Sequence, residues 1–208
     1  MIERKPSAVI AVDVQNDFCP GGKLPVKEGN LVADPINQLF KAADLTGVLK
    51  VATRDWHPIQ AVHFAGFGGV WPEHCIMESE GAKFHPDLKI DPATFIVSKG
   101  VDGKDAYSGF DGSITSSPDK ADLGTPLNDV FLARGIQRLF VGGLATDYCV
   151  KQTAMDGVKL GYQVFLIEEA VRAVDINPGD GNRALEEMKD SGVKVISLER
   201  ALELMAQS

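Results

Sequence analysis

Three side chains of the kinds that make up a cysteine nucleophile site each follow a short apolar run of the chain. Asp13 comes after the run at 7–12, Lys99 after the run at 94–97, and Cys149 beyond the run at 138–141. A carboxylate can accept the thiol proton, and a nearby ammonium group or a helix N-terminus favours the thiolate. Each residue alone has an ordinary explanation: a turn cap, a surface lysine or a small buried hydrophobe. Their recurrence at equivalent positions favours a catalytic role for Cys149.

All four histidines of the chain lie between positions 57 and 85. Asp55 and His57 are two residues apart, so in an extended segment their side chains point the same way. With His74 they form a set of one carboxylate and two imidazoles, and three protein ligands with open positions are typical of a catalytic or substrate-binding metal site. His63 is a further candidate ligand or a supporting neighbour, whereas His85 is interpreted as structural. The donor set favours one divalent ion, Zn²⁺ first, with Fe²⁺ or Mn²⁺ as alternatives.

The elements that must position these residues are indicated by hydrophobic patterning. Short runs rich in Val, Ile and Phe predict buried strands at 7–12, 48–52, 94–97, 138–141, 163–167 and 193–197. Helical patterns lie between them at 31–43, at 148–160, at 182–191 and in a segment that Thr125 caps, Pro126 opens and Gly135 ends. The alternation predicts a three-layer α/β/α sandwich with a mainly parallel, doubly wound sheet of about six strands. In such sheets the carboxyl ends of the strands form the ligand site, so we expect the reactive residues to meet there.

Length and composition narrow the class of protein. The chain has 208 residues, 44% of them apolar, and without repeats or a linker it is predicted to form one domain over 1–208. A formal charge of −8 argues against nucleic acid or an anionic membrane as a partner. No apolar run is long enough for a membrane span, and the odd count of three cysteines favours reduced thiols, so we expect a cytoplasmic protein. Oligomeric state stays open, with a homo-oligomer as one alternative.

Two long segments, 56–91 and 101–124, do not fit the alternation of strands and helices. They are rich in Gly, Pro, Asp and His, and the first carries all four histidines. Long irregular loops in a compact domain are usually functional, so both are predicted to serve the site, with 101–124 as a candidate lid.

Motifs along nearly the whole chain resemble the isochorismatase-like cysteine hydrolases, and within them the nicotinamidase (pyrazinamidase) branch. The matching stretches are VDVQNDF at 12–18 with PGG at 20–22, TRDWHP at 53–58, WPEHC at 71–75, KG at 99–100, YSGF at 107–110 and GLATDYCV at 143–150. The elements around Asp13, Lys99 and Cys149 mark the wider superfamily. The Asp55 and His57 pair joined to WPEHC is more specific to nicotinamidases.

The resemblance implies an activity and a mechanism. Nicotinamide and water would give nicotinate and ammonia, as a step of NAD salvage, and pyrazinamide would give pyrazinoate. Asp13 would take the proton of Cys149, Lys99 would favour the charged forms of both, and the thiolate would attack the carboxamide carbon to form a thioester. The backbone N–H groups of Ala145 and Cys149 would hold the developing oxyanion, next to a cis peptide bond at Leu144–Ala145.

The resemblance also implies how the substrate is held. The metal would anchor the pyridine ring nitrogen, and Phe18, Trp71 and Tyr107 would form the walls around the ring, in a pocket suited to a neutral heteroaromatic amide. Core packing is the ordinary alternative for Phe18 and Trp71.

Three rival functions stay open on the sequence. Superfamily members that hydrolyse carbamoyl or ureido compounds are similar at Asp13, Lys99 and Cys149, although the metal motif argues against that substrate class. A metallohydrolase could instead use metal-bound water while Cys149 only packs. A binding module for a pyridine ligand would not turn substrate over at all. Neither the metallohydrolase nor the binding module needs Asp13 and Lys99 beside the thiol, which favours the amidase over both.

Overall fold

One sheet of seven strands forms the centre of residues 5–207, the part of the chain that the computed structural model describes. The strands are β1 (Ser7–Val12), β2 (Leu49–Asp55), β3 (Phe95–Lys99), β4 (Ser113–Ser116), β5 (Arg138–Leu144), β6 (Gln163–Arg172) and β7 (Lys194–Ile196). Their order across the sheet is β4-β3-β2-β1-β5-β6-β7, and every pair is parallel except the antiparallel β3 and β4.

Helices cover both faces of this sheet. They are α1 (Ala33–Thr46), α2 (Leu127–Ala133), α3 (Lys151–Lys159), α4 (Asp180–Asp190) and α5 (Leu198–Met205). Helices α1 and α5 pack on one face, with Val9 and Ala11 of β1, and α2, α3 and α4 pack on the other, with Ala8, Ile10 and Val12. Since β1 is buried on both faces, its run is apolar throughout. The predicted α/β/α sandwich with a doubly wound sheet is confirmed.

Helix α1 shows how the local sequence sets an element. Ile36, Leu39, Phe40 and Ala43 are buried at helical spacing, and each turn of the helix therefore presents an apolar group to the sheet. Pro35 lies in the first turn, where its missing N–H leaves no intrahelical bond unmade. The helix stops at Gly47, which adopts a left-handed φ of 76°.

The predicted count of six strands is wrong by one. Strand β4 lies inside 101–124, a segment predicted to be irregular, and its pattern gives little signal because only Ile114 of its four residues is fully buried. Helix α5 was also not predicted, although Ser197 caps it by accepting a hydrogen bond from the N–H of Arg200, at 3.2 Å. That capping residue ahead of the apolar spacing of Leu198, Ala201 and Met205 is the signal that would have found it.

Several predicted boundaries also differ. Strands β2 and β3 run further than the predicted ends at 52 and 97, so Asp55 and Lys99 are the last residues of their strands and do not lie beyond them. Pro126 occupies the cap position of α2, and Leu127 opens that helix. The predicted helix at 148–160 splits into a π-helical turn, Thr146–Val150, followed by α3.

The topology brings the reactive residues to one edge. The chain leaves β1 toward β2, β3 and β4, and then returns to the opposite side of β1 for β5, β6 and β7. Loops therefore diverge at the carboxyl ends of β1 and β5, which leaves a crevice there.

None of the helices within residues 5–207 combines the length and apolar character that a membrane crossing requires.

Candidate active site

Asp13, Lys99 and Cys149 meet at the carboxyl edge of the sheet, as the sequence predicts. Lys99 is fully buried, and its Nζ lies 3.0 Å from Oδ2 of Asp13 and 3.5 Å from Sγ of Cys149. The same ammonium group donates to the carbonyl of Ala106 at 2.9 Å. Asp13 is also fully buried, and its Oδ1 accepts a 2.7 Å hydrogen bond from the hydroxyl of Thr53. A buried cation therefore stands between the carboxylate and the thiol.

Strand register explains a second ion pair of Lys99. Asp55 and Lys99 are paired neighbours in β2 and β3, so their side chains leave the same face of the sheet next to each other. Lys99 donates a hydrogen bond to Oδ1 of Asp55 within this buried ion pair. The two carboxylates that flank Lys99 compensate its charge in a place where an unpaired ammonium group would be strongly destabilising.

Burial and these charges shift the acidities of the cluster. Burial raises the pKa of the Cys149 thiol well above its ordinary value, Lys99 acts in the opposite direction, and Asp13 and Asp55 raise the pKa further. Burial likewise raises the pKa of Asp13, against the lowering effect of Lys99. Burial acts to lower the pKa of Lys99, but its anionic neighbours outweigh that effect and raise this pKa well above the ordinary range. The thiol therefore keeps its proton until a base removes it, and a raised pKa makes Asp13 a stronger base.

Cys149 lies in the π-helical turn that follows β5, with 7% of its surface exposed. Irregular turns of this kind often carry functional side chains. The peptide bond between Leu144 and Ala145 is cis, as the resemblance predicts. The carbonyl of Ala145 accepts hydrogen bonds from the N–H groups of Tyr148 and Val150, each at 3.1 Å, which holds the turn against the end of the strand.

Asp55, His57 and His74 meet on the other side of the same pocket. Oδ2 of Asp55 lies 3.6 Å from Nε2 of His57 and 3.9 Å from Nε2 of His74. Nitrogen atoms of His57, His63 and His74 all lie within 4.8 Å of one another, and all three rings are buried. His63, which the sequence left undecided, thus lies in the group, and its ring centroid is 4.3 Å from that of His57.

The hydrogen bonds of these rings fit a metal ion. Nδ1 of His74 lies 2.8 Å from the carbonyl of Pro72, and Nδ1 of His57 lies 3.3 Å from the carbonyl of Gly100. A carbonyl only accepts, so Nδ1 of each ring donates to it, and Nε2, which lies on the side of Asp55, is the atom left to ligate a metal ion. Both ring nitrogens of His63 are buried without a hydrogen-bond partner in the described part of the chain. A divalent cation would satisfy these orphaned atoms, so the residues present fit the ion that the sequence predicts.

Electrostatics also suit a cation in this position. Burial raises the pKa of Asp55, but Lys99 and His57 outweigh it and hold that pKa below the ordinary value. Burial, with His57 nearby, lowers the pKa of His63 to about 4. Burial lowers the pKa of His74 as well, against the effect of its bond to Pro72. An ionised carboxylate beside neutral imidazoles is the protonation state that metal ligation needs.

A pocket lies between the cysteine cluster and the histidines. Its lining contains all three residues predicted as pocket walls, Phe18, Trp71 and Tyr107. Nε1 of Trp71 donates to the hydroxyl of Tyr107 at 3.1 Å, which joins the segment 56–91 to the segment 101–124. Burial, with a smaller effect of Asp105, raises the pKa of Tyr107 to about 12, so its hydroxyl stays protonated.

Sequence reasoning missed five further residues that line the pocket. These are Leu24, Asp105, Ala106, Tyr148 and Val174. Tyr148 packs edge-on against Trp71, with ring centroids 5.1 Å apart. Asp105, Ala106 and Tyr148 lie within or close to the matching motifs, whereas Leu24 and Val174 are brought in only by the fold.

Gln15, which the sequence did not single out, holds the main chain next to the site. Gln15 is fully buried, its Nε2 donates to the carbonyls of Asp55 and Ala82, and its Oε1 accepts the N–H of Asp55 at 2.8 Å. His85 lies outside the histidine group, and its N–H donates to the carbonyl of Val14 at 2.9 Å. Gln15 belongs to the motif VDVQNDF, but nothing local in that motif indicates its partners.

Residues 7–200 match the isochorismatase domain. The chain belongs to the isochorismatase family. Among relatives, a nicotinamidase of Escherichia coli is 37% identical over 209 residues, which span 93% of this chain and 95% of that protein.

Solved structures of similar proteins agree with this chain in fold. A pyrazinamidase of Pyrococcus horikoshii in complex with zinc is 41% identical with a TM-score of 0.80, over 92% of this chain and 98% of that one. PnC1 from L. infantum in complex with nicotinate is 34% identical with a TM-score of 0.79, over 96% of each chain. This isochorismatase-family protein is a hydrolase that acts on amide bonds.

Proposed function

We propose that the protein is a nicotinamidase, which hydrolyses nicotinamide to nicotinate and ammonia in NAD salvage and also accepts pyrazinamide. One observation carries the proposal: the buried thiol, carboxylate and ammonium group line or adjoin the same pocket as a carboxylate and histidine set that fits a metal ion. Relatives named as nicotinamidase and pyrazinamidase, and one bound to nicotinate, support this substrate class.

The proposed reaction proceeds through a thioester. Asp13 takes the proton of Cys149, and the thiolate attacks the carboxamide carbon while the backbone N–H groups of Ala145 and Cys149 stabilise the oxyanion. Asp13 then returns its proton to the departing ammonia, so that the C–N bond breaks and a C–S bond remains. Water hydrolyses the thioester, releases nicotinate and restores the thiol. Lys99 holds Asp13 in place and stabilises the anionic sulfur.

Substrate orientation comes from the opposite wall. Asp55, His57 and His74 would hold one divalent ion, Zn²⁺ first, with His63 as a further candidate ligand, and the bound ion would supply a Lewis-acid contact for the pyridine nitrogen. Phe18, Trp71 and Tyr107 would enclose the ring, which leaves the carboxamide facing the thiol. Shape and one directional contact are sufficient to orient a neutral heteroaromatic amide.

Ammonia release measured on a panel of amides tests the proposal. We expect turnover of nicotinamide and pyrazinamide, loss of that turnover after treatment with a chelator, and recovery when Zn²⁺, Fe²⁺ or Mn²⁺ is returned. N-carbamoyl compounds and ureidoacrylate serve as the competing substrates. A preference for either of these over nicotinamide would contradict the assignment, and elemental analysis of the active protein identifies the metal.

A further inference from the structure

Asp17 is a buried carboxylate in the segment after β1, and the proposed reaction does not use it. It is only 5% exposed and does not line the active-site pocket. Its two oxygens accept hydrogen bonds from main-chain N–H groups, from Lys23 to Oδ1 at 3.2 Å and from Cys75 to Oδ2 at 2.7 Å. The second bond spans 58 positions of sequence and reaches the segment that carries the histidines.

The peptide groups of Cys75 connect Asp17 with two of the candidate ligands. Cys75 directly follows His74, and its carbonyl accepts the N–H of His57 at 3.0 Å. Cys75 also has a φ of 46°, a left-handed conformation that non-glycine residues rarely adopt without local support. A single short bond from Asp17 therefore fixes the main chain at the point where the two histidine-bearing stretches meet.

The neighbourhood of Asp17 leaves this carboxylate little freedom. Its N–H donates to the carbonyl of Gly81 at 3.0 Å, and a Cβ added to Gly81 would lie 2.1 Å from Oδ2 of Asp17. Glycine at position 81 thus permits the close approach of the carboxylate. The orientation of Oδ2 toward Cys75 is fixed by contacts on both sides.

The plain alternative is that Asp17 only stabilises the fold, as buried carboxylates that accept main-chain N–H groups often do. The chain contains a suitable comparison in Asp147, which is 7% exposed and accepts the N–H groups of Val174 and Asp175, each at 2.9 Å. Asp147 makes the same type of contact, but its partners lie in the segment after β6 and carry none of the candidate metal ligands. The two carboxylates therefore differ in what they position.

We propose that Asp17 is a positioning residue for the metal site, which sets the ring of His74, and with it His57, through the main chain of Cys75. The inference rests on the proposed function, because it requires a divalent ion at these ligands. Residues that orient metal ligands commonly affect metal affinity by about 10–100-fold. Asp17 should thus influence the affinity for Zn²⁺ although it touches neither the ion site nor the pocket.

The test compares Asp17→Ala with Asp147→Ala. An asparagine could keep its amide oxygen on one of the two N–H groups, whereas alanine removes both acceptors, so each variant loses both main-chain bonds. Zn²⁺ affinity is measured by competition with a chromophoric chelator, and the absorption spectrum of bound Co²⁺ reports ligand geometry. We expect Asp17→Ala to weaken Zn²⁺ binding by about 10–100-fold and to change the Co²⁺ spectrum. Asp147→Ala should keep the wild-type affinity and spectrum, while urea unfolding of the metal-free proteins shows losses of stability in both.

The outcomes separate this inference from the proposed function. Wild-type Zn²⁺ affinity in both variants would overturn the positioning role and leave the nicotinamidase assignment intact. If the wild-type protein bound Zn²⁺ no better than His74→Ala, the metal site itself would be wrong, and the inference with it. Should Asp17→Ala fail to fold, Gly81→Ala displaces the same carboxylate by contact and is expected to weaken Zn²⁺ binding in the same range. Unchanged affinity in that variant would also refute the role.

Discussion

Asp55 joins the two halves of the site at the residue scale. Its Oδ1 accepts a hydrogen bond from Lys99, which also contacts Asp13 and Cys149, and its Oδ2 faces the Nε2 atoms of His57 and His74. A change in the charge on this one carboxylate thus changes the electrostatic environment of both the thiol cluster and the histidines. Substitution of Asp55 should affect both metal binding and the nucleophile, whereas substitution of Cys149 should remove the nucleophile and leave metal binding unchanged.

Cys149→Ala is the residue-scale prediction. Removal of the thiol eliminates the nucleophile, so we expect nicotinamide turnover to fall by at least about 10³-fold. Metal content should stay at the wild-type level, because Asp55, His57 and His74 are unchanged. Ammonia release and elemental analysis on the same preparation give both values. Turnover within about tenfold of wild type would instead favour the rival in which metal-bound water attacks and Cys149 only packs.

At the scale of elements, the rim of the site depends on how closely β1 and β5 approach. Val12 and Gly143 are paired at the carboxyl ends of these strands, one residue before Asp13 and two before Ala145. Gly143 has a φ of 128°, and a Cβ at this position would lie 2.0 Å from the carbonyl oxygen of Val12. The end of β5, which leads into the turn that carries Cys149, therefore has no room for a side chain at position 143.

Gly143→Ala tests this close approach, with Gly135→Ala as the matched control. Gly135 also has a positive φ, 64°, but an added Cβ would meet nothing within 4 Å. The control should lower the free energy of unfolding by about 1–2 kcal/mol, the cost of a left-handed conformation for alanine. Gly143→Ala should lower it by about 3 kcal/mol or more, because a steric clash with the backbone adds to that cost. Urea denaturation measures both, and equal losses would show that β1 and β5 can separate to admit a side chain.

At the scale of the whole molecule, both faces of one continuous sheet are covered by helices, and the segment 56–91 contributes histidines to the pocket that Cys149 also lines. Residues 1–208 are therefore expected to unfold as one domain, as the sequence predicts. A bound ion should stabilise this domain as a whole, since the unfolded chain cannot hold its ligands together.

Thermal unfolding tests this coupling. The protein should show one cooperative transition, and Zn²⁺ at about 1,000 times its dissociation constant should add about 4 kcal/mol of stability. For a chain of this size that corresponds to a rise in Tm of about 8–16 °C. His74→Ala should abolish the rise. Two separate transitions in calorimetry would contradict the single-domain prediction, and a rise of equal size in His74→Ala would place the ion elsewhere.

The sequence by itself determined the types of chemistry and the elements that carry them. Apolar runs predicted six of the seven strands in the described part of the chain, because burial on both faces leaves a continuous local signal. The meeting of Asp13, Lys99 and Cys149 was predicted because the carboxyl ends of parallel strands share one edge, which follows from the alternation of strands and helices alone. The spacing of Asp55 and His57 likewise indicated that their side chains point the same way, because side chains alternate along an extended segment.

Tertiary structure alone decided which side chains touch. His63 joined the histidine group, and Asp17 and Gln15 found main-chain partners that lie 40 to 67 positions away in sequence. The pairing of strand β4 with the sheet and the places of Leu24 and Val174 in the pocket wall were likewise decided by the tertiary structure. Local patterning reports which face of an element is buried, but a contact between distant segments depends on the register and loop paths of the whole fold. For that reason the sequence could predict which side chains meet at the carboxyl edge of the sheet, while the residues that hold them in place could not be predicted.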